Sequence, residues 1–400
     1  MKISGVPVVM YHAVGPEKPG WMWNHLVMPL QVFEGQMRIL KENGWTTITL
    51  KVLHDHMSGG GPLPHKPVVL TFDDGYLDNW VFAYPILKKY NHRAAIWMST
   101  DFVDPRAIVR QTLEDSWRGV AREKDLTAAG FLSWNEMKLM VESGLVEIQS
   151  HGKTHTWYYE NPEIVDFHRP GGSDGYIPPP WLGWNRHSER KYEYMTAKLD
   201  SDVPYGTPIY RHGKSLAVRR YFEDESLTER LAKHVSEHGG APFFERDRWR
   251  DELEKIVRAH PPTEDRLETE QEYEARIREE LAGSKQIIEK ALDTSVDFLC
   301  WPGGDYNPAA SRVAGEAGYL ATTTHFQDRT RRNVYGQNPR EINRTGCGSP
   351  WPWRNLVIRA TDPRFFLAIL EEFNGARSAL WMMRLYKLKY VLRHYVSGID

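Results

Sequence analysis

Short apolar runs of β-forming residues alternate with amphipathic helical stretches at both ends of this chain, and no other feature limits its possible folds as strongly. "VPVVMY" reads as a buried strand, and "PLQVFEGQMRILKENG" as a helix with Phe33, Met37 and Leu40 on one face and Gly44 just past its end. "TTITL" follows as a strand. The Gly/Pro-rich "SGGGPLPHKP" then leads into the strand "VVLTF", Tyr84 to Tyr90 reads as helix, and "AAIWM" is strand again. "SWNEMKLMVESG" carries a capping box, Ser133 with Glu136, ahead of the strand "LVEIQS". Downstream the rhythm resumes with the helix around "IREELAGSKQIIEKAL", the strand "DFLCW", the helix "AASRVAGEAG" and the strand "YLATTT". Such alternation predicts a parallel sheet with helices packed on it, open or closed into a barrel.

Between about Gly152 and Asp265 the rhythm breaks. "HRPGGSDGYIPPPWLGWN" is too rich in Pro, Gly and aromatics for regular structure, and is followed by a helical "DESLTERLAKHVSEHG" and a charge run from Glu245 to Glu254 that reads as a solvated helix face. The segment is read as an insertion, which divides the chain into residues 1–155, an insertion at 156–265, a return at 266–345 and a C-terminal extension at 346–400. A 400-residue chain with 41% hydrophobic residues can bury a large core, and its net charge of -2 gives no general reason to bind nucleic acid. The only cysteines, Cys300 and Cys347, form no disulfide framework or zinc-ribbon spacing, so a reducing compartment is expected. The N-terminus has no apolar run of signal-peptide length and no window reaches the ~18 apolar residues of a membrane span, so a cytoplasmic location is expected.

Parallel α/β folds place their sites just beyond the C-terminal ends of the strands. Three segments sit there: Asp73 and Asp74 after "VVLTF", His151 and His155 in "SHGKTHT" after "LVEIQ", and "PGGDYN" after "FLCW". One Asp and two His from separate strand ends make a donor set suited to a divalent transition metal with open positions. Spacing alone carries little weight, because 16 His in 400 residues give about 0.6 HxxxH pairs by chance. His234 and His238 have the same spacing on a helix of the insertion, with no strand before them, and are expected to be structural or surface residues.

The combination "TFDDGY", "SHGKTHT" and "WPGGDYN" resembles the polysaccharide deacetylases, the NodB-homology or family 4 carbohydrate esterases. "VPVVMYHAVG", "LSWNEMKLMVESGLVEIQSH" and "EELAGSKQIIEKAL" resemble its exopolysaccharide-type branch. The likeness covers about residues 6–145 and 267–344. It implies a distorted (β/α) barrel, here with a long insertion and a C-terminal helical extension, and hydrolysis of an N-acetyl group on a sugar. It further implies Asp73 as general base, a divalent metal, zinc in the first place, on Asp74, His151 and His155, and the Gly303 N–H as a donor to the oxyanion. A metal suits an amide substrate because it acidifies water and polarises a carbonyl, and a neighbouring carboxylate can take the water's proton.

Two departures stand out. Where many relatives have Arg-x-Pro-Tyr, this chain has Cys300, Trp301, Pro302 and Gly303. The Arg that orients the base is missing, and Arg344 in "EINR" or an arginine of the insertion is the candidate replacement. The late Leu-x-His that supplies a general acid is not evident; His325 is the first positional candidate and His12 the second, and Asp73 could otherwise return the proton it took. Cys300 is expected to be a buried small residue rather than a nucleophile.

Trp157 to Tyr159, Trp181 and Trp184 offer faces for sugar stacking or a small core for the insertion. Arg211, Lys214, Arg219 and Arg220 suit either a phosphate-bearing substrate or a solvated basic stretch. The C-terminal "RSALWMMRLYKLKYVLRHYV" is basic and aromatic, and is expected either to dock on the barrel or a partner, or to make peripheral contact with a membrane. The substrate expected is an N-acetylated sugar or glycan, polymeric or lipid- or nucleotide-linked, with no nucleic-acid partner and no expectation for oligomeric state. An amidase or deformylase of the same mechanism, and a catalytically inactive carbohydrate-binding module, are the alternatives.

Overall fold

The computed structural model describes residues 5–171, 175–197, 199–262, 267–324, 332–349, 351–353, 356–358 and 360–397. Its centre is a parallel sheet in which the strands Glu341–Ile342, Ala321–Thr323, Phe298–Leu299, Val146–Ser150, Ala94–Met98, Pro67–Phe72, Val8–Tyr11 and Thr345–Gly346 lie side by side in that order, with Thr46–Thr47 added beside the start of Pro67–Phe72. The two edge strands are consecutive in the chain, separated only by Asn343 and Arg344. A link that short cannot span an open sheet of this width, since each residue reaches about 3.3–3.6 Å, so the sheet curls until its edges nearly meet. Across that seam the Asn333 amide donates to the Val6 carbonyl at 2.9 Å and the Asn343 carbonyl at 2.8 Å, and accepts from the Asn343 N–H. The result is the distorted barrel anticipated above.

Side chains alternate between the two faces of the curled sheet. Val8, Val69, Ala95, Trp97, Phe298, Cys300, Ala321 and Ile342 form one buried cluster inside the barrel. Val9, Val68, Leu70, Ile96, Met98 and Ile148 face outward into a larger cluster, where the helices Leu30–Glu42 and Trp134–Glu142 cover them. Burial on both faces explains why the strands read as unbroken apolar runs. The Ser133–Glu136 capping box is present: the Glu136 N–H donates to the Ser133 hydroxyl, and the Ser133 N–H to the Glu136 carboxylate.

"TTITL" divides differently from the sequence reading. Only Thr46–Thr47 is strand; Thr49 caps a helix, Leu50–Gly59, whose Leu50, Leu53 and Met57 plug the N-terminal end of the barrel. Glu147, at the start of its strand, accepts the Leu50 N–H at 2.8 Å and fixes that plug.

The segment after residue 156 leaves the sheet. Trp157–Phe167 and Pro208–Lys214 pair as an antiparallel hairpin with irregular register between Tyr159 and Asp166. The helices Glu225–Glu237 and Trp249–Ala259 pack on its far end through Phe167, Leu227, Leu231, Val235, Phe243 and Leu253. "PPPWLGWN" holds a short helix, Trp181–Arg186, rather than only irregular chain. Near the C-terminus, Pro363–Phe373 packs on Leu30–Glu42, and Arg377–Ser397 packs on Pro363–Phe373.

Candidate active site

The period of two that sorts the strand residues also selects what points into the mouth of the barrel. Asp73 continues the inward series from Val69, Arg344 follows Ile342, and Cys300 follows Phe298. Asp73 and Arg344 meet across the seam: the Arg344 guanidinium donates to Asp73 Oδ1 at 2.6 Å, with both side chains less than a tenth exposed. Of the two replacements the sequence offered for the missing arginine, Arg344 is the one that meets Asp73. Burial acts to raise the Asp73 carboxyl, and the charges of Arg344, His12 and His151 outweigh it and hold it below the usual carboxylate range. Its other oxygen, Oδ2, lies 3.8 Å from His12 Nε2 and 3.8 Å from Cys300 Sγ. Cys300 itself is fully buried among the barrel-interior residues, as expected of a packing residue.

Asp74 and Gly75 both take left-handed backbone, with φ of 73° and 70°. This sharp turn brings two consecutive carboxylates to one side of the strand end, where a regular strand would split them between faces. A Cβ on residue 75 would overlap the Met98 sulfur, so glycine is required on both counts. Asp74 Oδ1 lies 3.2 Å from His151 Nε2 and 3.2 Å from His155 Nε2. Burial opposes ionisation of Asp74, and the hydrogen bonds from the two histidines prevail, holding it well below the ordinary range.

The three groups fit a divalent metal. Their donor atoms all lie within 4.8 Å of one another. His151 Nδ1 lies 2.8 Å from the Cys300 carbonyl, which can only accept, so Nδ1 carries a proton and Nε2, which meets Asp74, is the atom that would turn a lone pair to a metal on losing its own proton. Asp73, His151 and Cys300 are equally close together, but Arg344 already occupies one oxygen of Asp73 in that group.

The chain between the histidines is clamped. Glu280 accepts from the Thr154 N–H at 3.0 Å and its hydroxyl at 2.5 Å, the Ser284 hydroxyl donates to the Gly152 carbonyl at 3.0 Å, and Lys191 of the insertion donates to the Thr154 carbonyl at 2.9 Å. His155 sits at φ 42°, an uncommon backbone for a non-glycine residue that these bonds hold in place. "EELAGSKQ" carried this signal in the sequence only as part of a likeness, with no role for Glu280.

Gly303 lies in the turn Pro302–Gly304 at φ 60°, and any Cβ there would overlap the Lys214 ammonium. Lys214, at the end of the insertion hairpin, lies 3.7 Å over the Trp157 ring, whose centroid is 6.0 Å from that of His155. Burial lowers the Lys214 pKa against the pull of Asp305 and Asp74. The side chain lost from position 303 thus leaves room for a cation supplied by the insertion.

The other basic residues of that stretch do not gather into a phosphate site. Arg211 pairs with Glu163, Arg219 bonds the Glu268 carbonyl, and Arg220 lies over Tyr158 and Phe222. Trp181 and Trp184 are buried in aromatic contacts with Tyr159, Phe102 and Tyr194, so they are core and not open stacking faces. His234 and His238 stack on each other away from the barrel, with Glu252 3.4 Å from His234. His325 lies outside the described residues. His12, whose carbonyl accepts from Asn79 at 2.8 Å, is the second histidine candidate and is present at the site.

The sequence profile described as polysaccharide deacetylase matches residues 60–172 and 246–322. Among curated proteins, the chain is 38% identical over 97 residues to the Bacillus subtilis (strain 168) protein YxkH, named for the same family, covering 24% of this chain and 33% of that one. It is 34% identical over 123 residues to the poly-β-1,6-N-acetyl-D-glucosamine N-deacetylase of Escherichia coli (strain K12), covering 30% of this chain and 16% of that one. The likeness therefore spans a third or less of each relative. In fold, the chain is similar to the BpsB deacetylase domain of Bordetella bronchiseptica, with TM-score 0.50 and 18% identity, covering 86% of this chain and 96% of that one. A de-N-acetylase from Aggregatibacter actinomycetemcomitans is similar at TM-score 0.50 and 19% identity, covering 85% and 94%.

Proposed function

We propose that this chain, which matches the polysaccharide deacetylase profile over residues 60–172 and 246–322, is a member of that family and hydrolyses the acetamido group of an N-acetylated sugar, releasing acetate and a free amine. The observation that carries this reading is the convergence of Asp74 Oδ1 on two histidine Nε2 atoms at 3.2 Å, beside an Asp73 locked by Arg344. Asp74, His151 and His155 would hold a divalent cation, zinc in the first instance. Such a cation, when bound, supplies Lewis acidity toward water and the amide carbonyl.

Asp73 Oδ2 is the proton acceptor, because Oδ1 is engaged by Arg344. The buried guanidinium keeps that carboxylate ionised and its plane fixed, so the base is ready without reorganisation. As the C–O bond forms and the carbonyl oxygen gains charge, the Gly303 N–H and the Lys214 ammonium beside it would donate to that oxygen. His12, 3.8 Å from Asp73 Oδ2, is placed to give a proton to the nitrogen as the C–N bond breaks. Trp157, half-buried with its ring centroid 6.0 Å from that of His155, is the aromatic side chain proposed to contact a sugar ring.

Poly-β-1,6-N-acetylglucosamine is the first substrate to try, given the named relative, with nucleotide-linked and polyprenyl-linked N-acetyl sugars beside it. Acetate release from any of these, abolished in Asp73→Asn, is the expected result. Formate release alone would move the reading to a deformylase. Stoichiometric metal binding with no turnover on N-acetyl or N-formyl substrates would favour a retired binding module.

A further inference from the structure

The helix Arg377–Ser397 carries two apolar faces, of which the fold uses one. Inward, Tyr386 and Tyr390 lie 5.8 and 6.4 Å from the Phe365 ring, Ala379 is buried, and the Tyr390 hydroxyl accepts from the Thr361 and Asp362 N–H groups at 3.1 and 2.8 Å. Outward, Trp381, Leu385, Leu388 and Leu392 are 66%, 65%, 54% and 52% exposed. Their spacing of i, i+4, i+7 and i+11 places all four within about 60° of arc on a helix. Two opposed apolar faces cancel in a helical wheel, so neither stands out in the sequence, which reads there simply as basic and aromatic.

The helix has five basic residues (Arg377, Arg384, Lys387, Lys389 and Arg393) and no Asp or Glu, in a chain whose net charge is -2. By helical position Arg384 flanks the exposed stripe on one side and Lys389 and Arg393 on the other. No helix among the described residues is long and apolar enough to cross a membrane.

The geometry points to this stripe as a peripheral docking face for an anionic lipid bilayer. The four side chains leave on the order of 500 Å² of apolar surface open, the upper range for a monomer. A second copy fits poorly: two such stripes together reach only about 1,000 Å², the low end for a specific interface, and would set basic rim against basic rim. A bilayer surface accepts the stripe at the depth of the acyl boundary, with Trp381 at the interface and the cations among the headgroups. This inference does not depend on the proposed reaction.

The test is co-sedimentation of the full chain with vesicles of phosphatidylcholine alone and of equimolar phosphatidylcholine and phosphatidylglycerol. The expected result is at least about tenfold tighter binding to the anionic vesicles, weakening as salt rises. Leu385→Ser with Leu388→Ser should lose that binding about tenfold or more while far-ultraviolet circular dichroism stays the same. Arg384→Glu with Lys389→Glu, which keeps the stripe, should lose the preference for phosphatidylglycerol. Equal binding to both vesicles, unchanged binding of the Leu385→Ser/Leu388→Ser variant, or a dimer in light scattering that the same variant breaks would each overturn the proposal.

Discussion

Replacing Arg344 by Met tests whether the closing seam of the barrel sets the proposed base. In the native fold the guanidinium donates to Asp73 Oδ1 at 2.6 Å and both side chains are almost entirely out of water. Removing one member of a buried pair leaves the other charge uncompensated, at a cost of about 3–5 kcal/mol. Asp73→Asn alone strands the guanidinium in the same way. Making both changes removes both charges, so the double variant should be more stable than the sum of the single losses allows, by at least about 2 kcal/mol. Urea denaturation of the metal-stripped full chain measures the cycle without a contribution from metal binding. The activity of the metal-loaded Arg344→Met protein should fall by about 10²-fold or more, with Arg344→Lys recovering only part because one ammonium cannot reproduce the planar fork. Single-variant losses that add to within about 0.5 kcal/mol would refute the coupling.

Other expectations follow from the same geometry. Burial raises Glu147 from 4.5 to about 7, against its bond from the Leu50 N–H. The folded state therefore holds a proton that the unfolded chain gives up between those values, and stability falls as pH rises through that window, by up to about 3 kcal/mol. Glu147→Gln should remove that slope in urea denaturation at pH 4.5 and pH 7. Glu280→Gln, by loosening the Thr154 bonds that fix the His155 loop, should weaken zinc about 10–100-fold in a chelator competition. Gly303→Ala should lower kcat about tenfold or more, through the strained φ of 60° and displacement of Lys214, whereas Lys214→Met should lower kcat about 10²-fold if its ammonium faces developing charge.

The barrel was legible in the sequence because its strands are covered on both sides. Pro67–Phe72 is buried at every position, and a run of that kind announces itself without knowledge of its neighbours. Asp73, Asp74, His151 and His155 could be placed for the same reason: each follows a recognisable strand end. The partners that complete the site were harder to read because they depend on contacts distant in sequence. Arg344 meets Asp73 across 271 residues, and sequence offered it only as one alternative. The insertion hairpin was missed because Asn161 and Pro162 interrupt its alternation and its pairing slips between Tyr159 and Asp166. Lys214 stood in the sequence among four basic residues that suited either a phosphate-bearing substrate or a solvated stretch; its place beside the site depends on the missing side chain at Gly303.

The most direct test of the central claim joins metal content to turnover. Zinc added to the stripped chain should bind at one equivalent and acetate release from N-acetylglucosamine polymers should rise with occupancy. Asp73→Asn should keep the metal and lose the turnover, while His155→Ala loses both. Acetate release that survives Asp73→Asn, or full zinc binding after His155→Ala, would contradict the assignment of base and ligands to these residues.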